Sequence, residues 1–134
     1  MPDISIEKAD WADFLNWVTD SLAGAQAEID VLSLKLGAQA QARSLPLLGL
    51  AYDRKSDVIE VALEGLDHLV HRPRKLAATQ DDSGLLSIEI VDADKVRQIV
   101  KLTRPLSLPA PFSPNEPSAW KQAQAQDRLG RSML

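Results

Sequence analysis

Apolar and polar residues alternate most regularly between Leu47 and Gly65, the stretch LLGLAYDRKSDVIEVALEG. Leu48, Leu50 and Tyr52 share one parity, and Leu47, Gly49 and Ala51 the other. Past Asp53-Arg54-Lys55-Ser56, the apolar Ile59, Val61 and Leu63 alternate with the mixed Val58, Glu60, Ala62 and Glu64. A period of two with one apolar face describes a half-buried antiparallel strand. The second segment is too short and too β-branched for a helix, and Gly65 stops it. Asp and Ser side chains bond their own backbone, so the polar residues between the segments form a turn. The sequence therefore predicts a β-hairpin, with Gly49 and Ala51 leaving room for another element to approach one face.

A longer period precedes the hairpin. Trp11, Phe14, Leu15, Val18 and Leu22 make one helical stripe, which predicts a helix from about Glu7 to Leu22. Asp10 and Asp13 lie in its first turns, where the helix dipole favours negative charge, and Gly24 ends it. Burying five such side chains is worth on the order of 10 kcal/mol gross. Ordering the backbone costs at least as much, so the helix needs a sheet to pack on. Trp17 falls off the stripe, more than a quarter-turn from its centre. It belongs either to the edge of the helix–sheet contact or to an interface, where Trp is favoured as an anchor.

Further strands follow from the same alternation. Leu32, Leu34 and Leu36 alternate with Ser33 and Lys35 in residues 26–36, broken by Gly37; Ala38 to Ser44 is polar and of no clear type. Leu66 to Val70 reads as a short extended or 3₁₀ segment stopped by Pro73, and Lys75 to Gln80 as a strand. Asp81-Asp82-Ser83-Gly84 turns into Leu86, Ile88 and Ile90, and Asp92-Ala93-Asp94-Lys95 turns back into Val96 to Leu102. The expectation is an α+β domain over residues 1–104. An N-terminal amphipathic helix would pack on five to six mostly antiparallel strands, a sheet able to curl into a small barrel. Five of the eight prolines lie from Pro105 onward, so residues 105–134 read as a Pro-rich tail with a short terminal helix.

Composition narrows the functions. At 134 residues, 45% hydrophobic and 25% charged, this is an ordinary single globular domain. The absence of cysteine excludes disulfides, thiolate catalysis and Cys-ligated zinc. Acids at Asp3, Glu7, Asp10 and Asp13 stand where a signal peptide needs positive charge, and no apolar run spans a bilayer. A soluble, cytoplasmic protein is expected. Of the net charge of −4, residues 1–30 hold seven acids against one base, and the remainder twelve acids against fourteen bases. The acidity belongs to the helix region, which argues against general nucleic-acid binding.

The most chemical-looking run is His68 to Lys75. His68 and His71 are too few for a metal site without a third ligand. His71, Arg72, Arg74 and Lys75 could make an anion patch, against the plainer interpretation of a solvated connection balanced by Asp67 or Glu64. Glu60 and Glu64 are ~13 Å apart along a strand, beyond the ~6.5–9.5 Å of an inverting glycosidase pair. With no phosphate loop, nucleophile elbow or zincin motif, neither catalysis nor a cofactor is expected.

Trp11 with Phe14-Leu15, Leu45-Pro46-Leu47 with Gly49, Tyr52-Asp53, and Asp57 with Glu60-Val61 form the first part of a recurring order of motifs. Leu63-Glu64-Gly65, Asp67-His68-Leu69, Pro73, Ser87-Ile88-Glu89, Val91-Asp92, Gln98-Ile99-Val100 and Pro105-Leu106 complete it. In this order the chain resembles a family of small bacterial proteins known only as a domain of unknown function, DUF5335, over roughly residues 5–111. The resemblance implies a fold-sized unit and carries no activity. The expected function is a non-catalytic interaction module that self-associates, with Trp17 and Trp120 as interface anchors. The alternative is nucleic-acid or anion binding through an Sm-like barrel and the patch of His68, His71, Arg72, Arg74 and Lys75.

Overall fold

The apolar stripe at Trp11, Phe14, Leu15 and Val18 does form a helix, but it is shorter than its sequence period and does not come first. In the computed structural model, which describes residues 3–33 and 37–108, strand β1 (Asp3–Ile6) precedes it. A 3₁₀ turn (Lys8–Asp10) then leads into α1 (Trp11–Asp20). There follow β2 (Gln26–Ser33), β3 (Gly37–Asp53), β4 (Val58–Leu63), β5 (Leu66–His71), β6 (Pro73–Asp81), β7 (Gly84–Asp92) and β8 (Arg97–Leu106). The sheet order is β1-β6-β7-β8-β2-β3-β4-β5, and every neighbouring pair is antiparallel.

The α+β class stands, with eight strands in place of five or six. The edge strands β1 and β5 pair with no further strand among the described residues, so the sheet is open and not a closed barrel. One added strand and the extension of another carry only a weak signal of their own. β1 is four residues long and is defined by its pairing with β6, Ile4 opposite Ala78. The polar stretch from Ala38 to Ser44 is the first part of β3, held as a strand by β2. The domain also passes residue 104: β8 runs through Pro105 to Leu106, which is buried, and a methyl at Gly84 would collide with the Leu106 carbonyl. The rest of the expected tail, from residue 109 on, with the expected terminal helix and Trp120, lies outside the described residues.

The 17-residue β3 divides the sheet. Up to Pro46 it pairs with β2, and from Leu47 to Asp53 with β4. Along the second part, the edge that faced β2 would be left without a partner, and α1 covers it. The Leu47 N–H donates to the Ala25 carbonyl at 2.9 Å. The Thr19 hydroxyl accepts the Leu50 N–H at 2.9 Å. Its single proton serves either the Leu50 carbonyl at 2.9 Å or the Leu15 carbonyl at 2.8 Å. Gly49 faces this contact, and a Cβ there would stand at van der Waals distance, 3.4 Å, from the Thr19 methyl; Ala51, by contrast, is exposed.

The core explains the remaining differences. Ile59, Val61 and Leu63 are buried, as their alternation predicts. In β3 a bulge between Leu47 and Gly49 inserts Leu48, so Leu47 and Leu50 both face inward while Leu48 is 61% exposed. One extra residue reverses the parity read from sequence. Trp17 is only 3% exposed and joins the core, its ring centroid 6.3 Å from that of Phe14. A helix lying on one sheet face buries one stripe. This helix buries Trp17 beside the stripe and so is covered over a wider arc. From β5 the chain passes to β6 through one residue, Arg72 at φ 51, whose N–H donates to the Asp57 carbonyl at 2.9 Å. Pro73 does not stop a segment but opens β6, a position where its missing N–H is tolerated.

Replacing Thr19 by Val keeps the shape and removes the hydroxyl. Because the Leu50 N–H then loses its partner, Thr19→Val should lower the unfolding free energy by roughly 1–3 kcal/mol. Thr19→Ser should cost less, both read from urea denaturation.

Candidate functional site

Asp57 sits in the β3–β4 turn at φ 56, and it gathers the densest polar cluster of the described residues. The Tyr52 hydroxyl donates to its Oδ1 at 2.8 Å. Arg74 Nη1 donates to its Oδ2 at 3.2 Å, and Lys8 Nζ is 3.8 Å from Oδ1. Trp11 meets Tyr52 edge to face, centroids 5.2 Å apart, and Lys8 Nζ lies 5.7 Å from the Trp11 ring centroid. Arg54 Nη2 donates to the Ala9 carbonyl at 3.1 Å. The Tyr52 hydrogen bond, followed by Arg74 and Lys8, holds the Asp57 carboxyl below its ordinary value. Burial and the same carboxylate push the Tyr52 phenol up. The cluster ties together the turn before α1, the β3–β4 hairpin and the start of β6. Beside it Lys8, Ala9, Tyr52, Arg54 and Asp57 line an open concavity of about 580 Å³. Its chemistry is that of a carboxylate ringed by cations, without a nucleophile or free general base.

The structure does not bring the His68–Lys75 residues together. His68 alternates with the buried Val70 on the inner face of β5. Burial pushes its imidazole below the ordinary value, against a smaller opposing pull from the buried Gln98 amide. Its Nε2 atom has no hydrogen-bond partner among the described residues. His71 is exposed, opposite Val58. Arg72 pairs with Asp94 at 3.4 Å, Arg74 with Asp57, and Lys75 with Glu89 at 3.8 Å. Each cation has its own acid in a different place. No group of three or more His, Cys, Asp or Glu among the described residues could hold a metal. Of the two tryptophans named as anchors, Trp17 is covered by its own chain.

A different surface carries the unused features. The large apolar side chains left exposed among the described residues are Leu48 (61%) and Leu69 (44%). Both lie on the solvent side of the β3–β4–β5 leaflet. Leu69 stands opposite Glu60, and Ala62 opposite Asp67, so the Glu60 and Asp67 carboxylates are diagonal neighbours on that side. Hydrogen bonding and repulsion from Asp67 push the Glu60 carboxyl up. Ala51, Asp53, Ser56, Val58, Glu60 and Leu69 line a shallow depression of about 300 Å³ there. Pairing Glu60 with Glu64 along one strand missed this contact. The two-residue turn at Glu64-Gly65 was the available signal, since it sets Leu63 opposite Leu66 and hence Asp67 beside Glu60.

The Glu60 carboxyl is held above its unfolded-state value, so its protonation favours the folded chain. That gain is present below the unfolded value and lost as pH rises through the folded one. Glu60→Gln should therefore raise the thermal midpoint at pH 7 and leave it unchanged near pH 3. Asp57 has the opposite sign, since its value is lowered. Tyr52→Phe should destabilise the protein at pH 7, with a smaller loss once acid protonates Asp57, both followed by calorimetry across pH.

Residues 3–111 match the family described as "Family of unknown function (DUF5335)". An uncharacterized protein of Aquifex aeolicus (strain VF5) is 30% identical over 106 residues, covering 78% of this chain and 96% of the relative. No solved structure matches the chain. The match takes in all eight strands and the helix, together with the Asp57 cluster and the β3–β4–β5 leaflet, and on it the chain belongs to the DUF5335 family.

Proposed function

We propose that this protein is a non-catalytic interaction module that self-associates. One observation carries it: the exposed leucines, Leu48 and Leu69, share one side of the leaflet that ends in the open edge strand β5. Charged groups of the chain are engaged in ties of the fold, Asp57 with Arg74 and Glu89 with Lys75 and Arg97. No helix among the described residues is long and apolar enough to cross a membrane, so a membrane helix has no part in this proposal. Light scattering coupled to gel filtration on the full chain, over a dilution series, should give a dimer or larger that dissociates on dilution. A monomer at every concentration would overturn the proposal.

A second reading, anion binding, is favoured by Lys8, Arg54 and Arg74 around the single Asp57 carboxylate and beside an open concavity. It replaces the dispersed His68–Lys75 patch as the site for such a ligand. Trp11 lies under Lys8, so its fluorescence should respond to inorganic phosphate or to RNA at low salt, where the electrostatic term is largest. No response to either removes this reading.

A further inference from the structure

Natural sheets guard their open edges with charge, proline, bulges or shortness. Of the two edges here, β1 is four residues long and turns the polar Ser5 outward. β5 is six residues long, has no bulge in its pairing with β4, and exposes Leu69 at its centre.

The hydrogen-bonding phase of β5 follows from its register. Leu63 and Leu66 close the two-residue turn and so form a hydrogen-bonded pair. In an antiparallel ladder such pairs recur every second residue, which places Val61 with His68 and Ile59 with Val70 in the same class. The 2.9 Å bond from Arg72 N–H to the Asp57 carbonyl is the next in the series. Leu66, His68 and Val70 therefore bond back to β4. The N–H and C=O groups of Asp67, Leu69 and His71 point out of the open edge.

Those three residues are self-complementary. With a two-fold axis at Leu69, an antiparallel second copy sets Leu69 opposite Leu69, and Asp67 opposite His71 on each side. All three are then the hydrogen-bonded class of pair, and their side chains lie on the solvent side of both leaflets. The apolar residue meets its like at the axis, and acid meets imidazole on either side of it. The incoming His71 also places a basic ring beside Asp67, which in the single chain is crowded by Glu60. We propose that the chain dimerises by pairing β5 with β5 of a second copy about an axis at Leu69, making one continuous sheet. This rests on the proposed self-association and names its surface.

The absence of cysteine gives a clean test. A hydrogen-bonded antiparallel pair has its Cα atoms about 5.5 Å apart, within the roughly 4.4–6.8 Å a disulfide needs. Leu69→Cys should form a disulfide-linked dimer on mild oxidation, and Leu48→Cys, off the edge, should not. His71→Asp alone sets two acids across the pair, and Asp67→Lys alone removes the acid that faces the imidazole; each should weaken dimerisation in the light-scattering series, His71→Asp at least tenfold. The double variant D67K/H71D restores opposite charges and should restore the dimer. Circular dichroism of each variant checks that the fold is kept. A native dimer that ignores both charge changes, with no Leu69→Cys crosslink, would overturn this interface and leave self-association standing. A native monomer at every concentration, with no crosslink, would overturn both.

Discussion

The hydroxyl of Thr19 at Leu50 is the contact on which the architecture turns. Antiparallel sheets of many strands twist and do not stay flat, and this one folds over where β3 exchanges β2 for β4. The exchange strips one edge of β3 of its strand partner in the middle of the domain, where a lone N–H or carbonyl costs as much as a lost hydrogen bond. A side chain on a helix replaces the missing strand. The helix lies close enough that even a methyl on residue 49 would touch Thr19. Once α1 is fixed there, its two tryptophans and Phe14 fill the space enclosed by the bend, and the 3₁₀ turn before it delivers Lys8 to Asp57.

What could be read in the sequence was what local pattern determines. The β3–β4 hairpin, the β7–β8 return and the inward side of β4 all follow from alternation over a few residues. Features that depend on a distant partner were not legible. Ala38 to Ser44 alternates only small alanines with Gln and Arg, and is a strand because β2 lies beside it. Leu48 faces water because a bulge, invisible in the order of residues, shifts the register by one. Trp17 is buried because the helix has walls on more than one side, which no helical wheel records.

The candidate site shows the same limit. His68, His71, Arg72, Arg74 and Lys75 look like one patch when written in a line. A strand followed by a one-residue corner sends them inward, outward and to three separate carboxylates. The Asp57 cluster draws on residues 8, 11, 52, 54, 57 and 74, and nothing short of the fold assembles them. The residues Asp67, Leu69 and His71, acid and imidazole at equal distance on either side of a leucine, stand in the sequence. They gained meaning only when β5 proved to be an edge strand.

The pairing of β2 with β8 has a consequence for how the chain reaches this state. Ala27 lies opposite Leu102, and Ile4 opposite Ala78, so strands near the start wait for partners near the end. Bringing such remote segments together costs loop-closure entropy before any contact repays it, which slows folding. On the ribosome, β3, β4 and β5 are complete long before β8 emerges. The β2–β3 hairpin, and then the leaflet with the open edge, are thus the first parts of the sheet able to form. The nascent chain carries the β8-facing edge of β2 unpaired until synthesis has passed Leu106.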